Sequence, residues 1–175
     1  MPDYEDVAKV QKSPFSGLTS FFFTKVHNKH NTSALRCKIE WIMEIRPYRH
    51  EVKYYECDRM GITHHSNYIH FMEEARVDWM DQLGYGFDRM EAEGVVSPVV
   101  AVDCRYRHST TFKDTIEIAV RVQETTPLKI VFAYTMTCGG RTVCTATSTH
   151  CFLEQGRPVS LEKRFPELYA AVKNL

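Results

Sequence analysis

One amphipathic helix followed by several strand-like segments is the pattern that most constrains what this chain can fold into. Residues 67–83 place apolar side chains on a single helical face, at Tyr68, Phe71, Met72, Ala75, Trp79 and Leu83. Four segments rich in β-branched and aromatic residues follow, joined mostly by short turns: residues 100–106, 116–123, 130–136 and 141–153. Strands that lie close together along a chain pair antiparallel, because parallel pairing needs long crossover connections. A single helix can bury its apolar face only against such a sheet, so the pattern predicts an α+β fold.

Turn signals and two flanking segments complete the predicted order of elements. Residues 45–56 have the composition of a strand and precede the helix, whose expected end is Gly84. The pair Gly139-Gly140 predicts a tight hairpin between the last two strands. Residues 162–172 indicate a closing helix. We therefore predict one folded domain over residues 43–175.

The first 42 residues differ from the rest of the chain in composition. Residues 7–39 contain six Lys or Arg and no acidic side chain, and no apolar period persists through them. A basic, acid-poor segment is typical of an organelle-targeting sequence, but Asp3, Glu5 and Asp6 fit that class poorly. Chain termini often lack order. We therefore expect residues 1–42 to form a basic, poorly ordered extension, with targeting as the alternative.

Charge and cysteine usage narrow the classes of partner and location. Lys and Arg number 22 and so do Asp and Glu, whereas binding to nucleic acid or to an anionic membrane favours a basic excess. No run of about 18 apolar residues occurs, so no membrane span is predicted. The six cysteines form no Cys-x-x-Cys pair and no cleavable secretory pattern precedes them. This predicts reduced thiols in a cytoplasmic protein.

The segment Tyr54–Tyr68 carries the residues with the clearest chemical potential. A strand-like stretch ends at Asp58, a glycine-containing loop follows, and a helix begins near Ser66. Helix starts have unpaired N–H groups and the positive end of the helix dipole, so they suit an oxygen that becomes negative. A carboxylate opposite such a helix start could attack a carbonyl or activate water. The alternative is that Asp58 only caps a turn.

The stretch YYECDRMGITHHSNYIHFMEEAR resembles the signature of the 4-hydroxybenzoyl-CoA thioesterase family, in the hotdog superfamily. The matching positions are Asp58, Gly61, Asn67-Tyr68, Glu73-Glu74-Ala75-Arg76 and, downstream, Tyr106, Asp114, Gly140-Arg141 and Gly156-Arg157-Pro158. The resemblance covers about residues 44–160. It implies a hotdog fold, in which an antiparallel sheet wraps around one long central helix. It also implies an acyl-CoA substrate and a homodimer or homotetramer.

The resemblance assigns roles position by position. It implies that Asp58 is the catalytic carboxylate, acting as nucleophile or as general base. It implies that the backbone N–H of His65 polarises the thioester carbonyl, and that the neighbouring positions Gly61, Ser66, Asn67 and Tyr68 bind substrate. Cys57, Arg59-Met60 and His108-Ser109 depart from the family pattern, which leaves pocket shape and the contacts near residue 108 in doubt.

Three charged residues are more distant candidates for substrate binding. In the dimer that the resemblance implies, Glu73 could approach the chemistry of the partner subunit; otherwise it lies on an exposed helix face. Arg105 and Arg107 are expected on the strand face opposite the apolar stripe. Guanidinium groups suit the phosphate oxygens of CoA, although a solvated strand face explains them equally well.

Metal and cofactor chemistry are not expected. His65 and His70 are five residues apart, which does not place them on one helical face for joint ligation. Two alternatives to an acyl-CoA thioesterase stay open. A thioesterase for acyl carrier protein would favour a basic surface, but residues 44–175 carry 16 Lys or Arg against 18 Asp or Glu. A non-catalytic binder of acyl thioesters would not require the acid at position 58.

Overall fold

The computed structural model describes residues 45–175. These residues belong to one compact unit, Met43–Leu175. The extension predicted over residues 1–42 lies outside the described residues. Within the described part of the chain, no helix is long and apolar enough to cross a membrane.

Residues 45–175 form eight strands and several helices, of which one has 16 residues. In chain order the elements are β1 (Tyr48–Glu51), a 3₁₀ turn (Tyr54–Glu56), α1 (Asn67–Gln82), α2 (Phe87–Ala92), β2 (Val95–Val96), β3 (Val99–Tyr106), β4 (Thr115–Thr126), β5 (Lys129–Cys138), β6 (Arg141–Cys151), β7 (Leu153–Glu154), β8 (Arg157–Pro158), α3 (Leu161–Arg164) and α4 (Pro166–Lys173). The order of one principal helix followed by four long strands is the predicted one.

The principal sheet has five strands in the order β1-β4-β5-β6-β3, and every neighbouring pair is antiparallel. The three successive strands β4, β5 and β6 are joined by short turns, as their spacing along the chain requires. The turn between β5 and β6 is the predicted Gly139-Gly140 hairpin, where both glycines have positive φ angles. A second sheet of three short strands has the order β2-β7-β8.

Helix α1 buries the apolar face that its sequence period predicts. Tyr68, Phe71, Met72, Ala75 and Trp79 are all buried. The Trp79 ring meets Phe132 of β5 edge-on, with 5.3 Å between ring centroids. Burying one large apolar side chain contributes about 1.5–3 kcal/mol, so this face is sufficient to hold α1 on the sheet.

Two elements differ from what their sequence pattern predicts: one strand is shorter, and one helix is divided in two. The strand expected over residues 45–56 is limited to β1, because the Glu56 side chain accepts a hydrogen bond from the Lys53 N–H at 2.7 Å and closes a 3₁₀ turn. The single closing helix expected over residues 162–172 is wrong. Pro166 has no N–H to continue a helix, and Phe165 before it is non-helical, with φ −134° and ψ 67°. Two helices, α3 and α4, result.

The described unit has a core of its own, so we predict that a truncated chain starting at Met43 folds cooperatively. Ile45 already packs against this core, and β1 begins at Tyr48. The expected result is a single sharp thermal melt by circular dichroism and thioester turnover close to that of the full chain. Aggregation of the truncated chain, or a broad melt, would contradict the domain boundary at residue 43.

Candidate active site

Asp58 lies in a tight loop that its own carboxylate helps to close. Cys57 and Thr63 form an isolated antiparallel bridge, and the Asp58 N–H donates to the Ile62 carbonyl at 2.9 Å. Asp58 Oδ1 accepts a hydrogen bond from the Met60 N–H at 2.8 Å. Gly61 turns the chain with a φ of +75°, a conformation that costs glycine little. The loop thus occupies one carboxylate oxygen, and among the described residues Oδ2 has no hydrogen-bond partner.

The start of α1 is tied to the turn that precedes Asp58. The Glu56 carbonyl accepts hydrogen bonds from the His64 N–H at 2.8 Å and from Asn67 Nδ2 at 2.7 Å. These two contacts hold the first helical residue beside the end of the 3₁₀ turn. The Glu56 carbonyl therefore holds the start of α1 close to the chain that leads into the Asp58 loop.

The helix start keeps donors free for a ligand. Ser66 stands at the N-cap position without a side-chain capping bond, since its hydroxyl pairs with His64 Nδ1 at 2.8 Å. The first turn of α1 contains no acidic side chain. The backbone N–H of His65 has no hydrogen-bond acceptor within residues 45–175. Unpaired N–H groups and an uncompensated helix dipole favour a negative oxygen at this point.

One cavity of about 300 Å³ joins the loop and the helix start. Its lining includes Asp58, Met60, His65, Tyr68, Tyr106 and Arg107. Asp58 and His65, which are 7 residues apart in the sequence, thus line the same cavity. A carboxylate and a free N–H on one cavity are the two groups that an acyl-transfer reaction needs.

Two tyrosines form one wall of this cavity and stay protonated at neutral pH. Tyr68 is buried and shares a hydrogen bond with Thr110 Oγ1 at 3.0 Å, and burial raises its pKa. The Tyr106 hydroxyl donates to the His65 carbonyl at 3.0 Å. Burial, with a smaller contribution from the Cys104 thiol, raises the pKa of Tyr106 to about 12. The Tyr106 contact fixes the peptide on the carbonyl side of His65.

A buried ionisable cluster that the sequence did not reveal supports the loop. His50 of β1 is buried, and its ring nitrogens lie 2.9 Å from Glu56 Oε2 and 3.1 Å from Glu74 Oε2. Its ring stacks on Phe71 with 4.0 Å between centroids. The cluster therefore connects β1 and α1 to the turn before Asp58. No spacing in the sequence links positions 50, 56 and 74, so only the fold brings them together.

The two arginines proposed for CoA phosphates lie in different environments. Arg105 points to the outer sheet face, where its Nε lies 3.3 Å from Asp103 Oδ1. Arg107 follows the end of β3 and lines the Asp58 cavity. β3 ends at Tyr106, so Arg107 lies one residue beyond the strand, and the two arginines line different cavities.

The other candidate residues lie around the cavity or away from it. Asn67 directs its amide to Glu56, and Ser66 directs its hydroxyl to His64. The Gly61 carbonyl accepts a hydrogen bond from the Thr111 hydroxyl at 2.7 Å. Glu73 lies further along α1, exposed and paired with Arg76, and it does not line the Asp58 cavity of its own chain.

Thiols and acids of the described residues do not assemble a metal centre. Among residues 45–175 no group of three or more His, Cys, Asp or Glu is placed to hold a metal ion. Among the described residues, free thiols are found at Cys57, Cys104, Cys138, Cys144 and Cys151.

Residues 52–172 match the thioesterase-like superfamily over most of the domain. The chain belongs to this superfamily. Its antiparallel sheet with one principal helix agrees with the hotdog fold that the sequence predicts. The match begins immediately after β1 and continues into α4, so it includes the Asp58 loop and the helix start.

Individual relatives agree with the superfamily assignment. The chain is 32% identical over 124 residues to YneP of Bacillus subtilis (strain 168), which is named as a candidate acyl-CoA thioesterase; the match covers 69% of this chain and 90% of YneP. It is 30% identical over 121 residues to a candidate esterase of Aquifex aeolicus (strain VF5), covering 69% of this chain and 94% of that protein. The crystal structure of the DHNA-CoA thioesterase from Staphylococcus aureus superposes with a TM-score of 0.71 at 26% identity, covering 74% of this chain and 89% of that chain. This thioesterase-like chain is therefore a thioester hydrolase.

Proposed function

We propose that this chain hydrolyses an acyl-CoA thioester to the free acid and CoA, as a member of the 4-hydroxybenzoyl-CoA thioesterase family. The observation that carries the proposal is that Asp58 and His65 line one cavity, and that the His65 N–H has no hydrogen-bond acceptor among the described residues. The names of the Bacillus subtilis and Staphylococcus aureus relatives support an acyl-CoA substrate.

Asp58 acts through the carboxylate oxygen that the loop leaves free. In one mechanism Oδ2 attacks the thioester carbonyl, a mixed anhydride forms, and the CoA thiolate leaves and takes a proton; water then hydrolyses the anhydride. In the other, the carboxylate removes a proton from water as the oxygen of that water attacks the carbonyl carbon; the tetrahedral intermediate then collapses, the C–S bond breaks, and the CoA thiolate leaves and takes the proton from Asp58. Single-turnover hydrolysis in ¹⁸O-labelled water detects direct attack, because only an anhydride that water opens at the Asp58 carboxyl carbon places solvent oxygen in Asp58.

The helix start stabilises the oxygen on which charge develops. As either nucleophile adds to the thioester carbon, negative charge moves to the carbonyl oxygen, and the His65 N–H donates to it. Removing one such donor from an acyl-transfer enzyme typically costs about 10²–10³-fold in turnover. The Tyr106 hydroxyl donates to the His65 carbonyl at 3.0 Å and so holds the next peptide along the chain, which restrains the backbone of His65 beside its N–H.

The remaining candidate residues bind or shape the substrate site. Tyr68 supplies an apolar wall, and Gly61, Ser66 and Asn67 set the loop and helix start that flank the thioester. We propose that Arg107 meets a CoA phosphate at the cavity, and that Arg105 and Glu73 contribute from the partner subunit of an assembled oligomer. The cytoplasmic location predicted from cysteine usage stays a prediction.

The proposed function predicts turnover of acyl-CoA by the purified full-length chain. The measurement is release of free CoA thiol from a panel of short-chain, long-chain and aryl acyl-CoAs, beside the same acyl groups on acyl carrier protein. We expect turnover of at least one acyl-CoA and weaker turnover of the carrier-protein thioesters. Turnover of the carrier-protein thioesters alone would favour that alternative, and thioester binding without turnover would favour a non-catalytic binder.

The exposed edge of the sheet predicts a homodimer or homotetramer. Strand β3 is an edge strand of the principal sheet, and Val99, Val100 and Val102 on it are 45%, 59% and 41% exposed. Unpaired apolar edge strands are usually covered, and homo-oligomers are mostly closed and symmetric. We expect light scattering at micromolar concentration to report a dimer or a dimer of dimers. A monomer under these conditions would contradict both this prediction and the assignment of Glu73 and Arg105 to a shared site.

A further inference from the structure

A second cavity lies beside α1 and shares no lining residue with the Asp58 cavity. It has a volume of about 140 Å³ and is bounded by α1, β3, β5 and β6. Ile69, Met72 and Val102 form its apolar lining, and Arg76 and His150 contribute polar atoms. A cavity on the order of 150 Å³ has room for a benzene-sized group. This cavity can therefore hold a small ligand rather than a single water molecule.

Arg76 brings an incompletely satisfied positive charge to the cavity. The residue lies on α1 and is only 3% exposed, although arginine is seldom fully buried. Its Nη2 pairs with Glu73 Oε1, and its guanidinium carbon lies 4.6 Å from the centroid of the Phe87 ring. Its Nη1 is buried and has no hydrogen-bond partner among the described residues. A buried donor left unpaired costs about 1–3 kcal/mol, and more when it is charged.

His150 adds a second polar atom without adding charge. A hydrogen-bonded row runs from the Tyr134 hydroxyl to Ser148 Oγ at 2.8 Å and on to His150 Nε2 at 2.7 Å. Burial, followed by the positive charge of Arg76, lowers the pKa of His150 to about 4, and the Ser97 carbonyl only partly opposes this. His150 is therefore neutral at pH 7, and although the Ser97 carbonyl lies near its ring, the buried Nδ1 makes no well-formed hydrogen bond in the described part of the chain.

The charges around the cavity favour an anion. Glu73, the carboxylate that pairs with Arg76, also lines the cavity, but in the single chain its side chain is 56% exposed, so water screens much of its charge. No other acidic residue lines the cavity. Arg76 consequently brings a positive, desolvated guanidinium to a cavity whose lining is otherwise largely apolar. Guanidinium N–H groups form strong hydrogen bonds with carboxylate oxygens.

We propose that this cavity binds the carboxylate of a small ligand with an apolar body, with Arg76 Nη1 as the principal donor. The apolar body packs against Ile69, Met72 and Val102. His150 Nδ1 offers a second polar contact to the same group. The buried guanidinium then acquires the partner that the protein itself does not provide.

Such a carboxylate has two sources that the chain could meet. It could belong to a free acid, or it could be the far end of an acyl group whose thioester lies in the Asp58 cavity. Both cavities adjoin α1 and β3, and Arg76 lies eight residues beyond Tyr68, which is about 12 Å along the helix at 1.5 Å per residue. The second source rests on the proposed function, whereas the first does not.

Binding of free acids tests the site without any catalysis. Isothermal titration of the full-length protein compares hexanoate with hexanamide, which has the same length but no charge. We expect hexanoate to bind at least about tenfold more tightly, and Arg76→Met to remove the difference. Arg121→Met, a control at an exposed arginine on β4, is expected to keep it. Ile69→Trp fills the cavity from a partly exposed position and should weaken hexanoate binding even if Arg76→Met does not fold.

Turnover distinguishes the second source. The ratio of kcat/KM for dodecanedioyl-CoA to that for dodecanoyl-CoA compares two acyl groups of equal length, of which only one ends in a carboxylate, and both are long enough for the about 12 Å of helix between Tyr68 and Arg76. If this ratio is at least about ten and falls towards one in Arg76→Met, the site binds the far end of the acyl group. If the ratio is near one in the wild type but hexanoate binds tightly, the site binds a free acid. Equal binding of hexanoate and hexanamide, together with a ratio near one, overturns the proposal. Absence of turnover with every acyl-CoA would overturn the proposed function instead and leave the titration result standing.

Discussion

Replacing Asp58 by asparagine is expected to lower kcat for the best acyl-CoA by at least about 100-fold, the lower end of what a positioned general base contributes. Asparagine keeps an oxygen that can accept the Met60 N–H, so the loop contact at 2.8 Å survives. It removes the negative charge that either proposed mechanism requires. Affinity for the thioester, measured separately, should change little because other residues contact the CoA portion.

Asp114→Asn is a matched control for this substitution. Asp114 also uses one carboxylate oxygen to close a turn, accepting the Thr111 N–H at 2.8 Å, and it does not line the Asp58 cavity. The same chemical change there should leave kcat close to that of the wild type. If a folded Asp58→Asn protein retains near-normal turnover, Asp58 only closes its loop, and the catalytic account is wrong.

Substitution of His65 separates its backbone donor from its side chain. His65→Ala retains the N–H and should lower turnover only modestly. His65→Pro removes the N–H and is expected to lower kcat by about 10²–10³-fold, the typical cost of losing one oxyanion donor. Position 65 precedes the N-cap residue Ser66, so proline there breaks no hydrogen bond within α1.

The comparison depends on both His65 variants being folded. Circular dichroism melts of the two proteins should coincide within a few degrees, and the Tyr106 contact to the residue 65 carbonyl is available in both. Equal turnover in folded His65→Ala and His65→Pro would exclude the N–H as the oxyanion donor. If His65→Ala already loses as much turnover as His65→Pro, the imidazole, rather than the peptide N–H, performs the essential step.

Local patterns in the sequence were sufficient for much of the fold. The period of residues 67–83 predicted α1, which spans Asn67–Gln82, because burial against one sheet selects one helical face. Alternation and the Gly139-Gly140 pair predicted antiparallel pairing of consecutive strands, which β4, β5 and β6 show. Element ends were less accurate where a side chain or a proline intervened, at Glu56 and at Pro166, since neither effect changes the apolar period.

The Asp58 loop and the helix start were also accessible from the sequence, because they lie within a few residues of each other. A carboxylate, a glycine with positive φ and a helix start follow in one short segment, and that segment carries the family resemblance. The sequence therefore determined the fold class, the superfamily and the Asp58–His65 segment as the place to look for chemistry.

Only the tertiary structure decided which distant side chains meet. It placed Tyr106 on the His65 carbonyl, joined His50 to Glu56 and Glu74, and separated Arg105 from Arg107 at the end of β3. It also buried Arg76, which helical spacing alone does not distinguish from an exposed arginine of the same helix. The physical reason is that a sequence period specifies which face of an element is buried, whereas contacts between elements depend on strand order, register and the ends of strands.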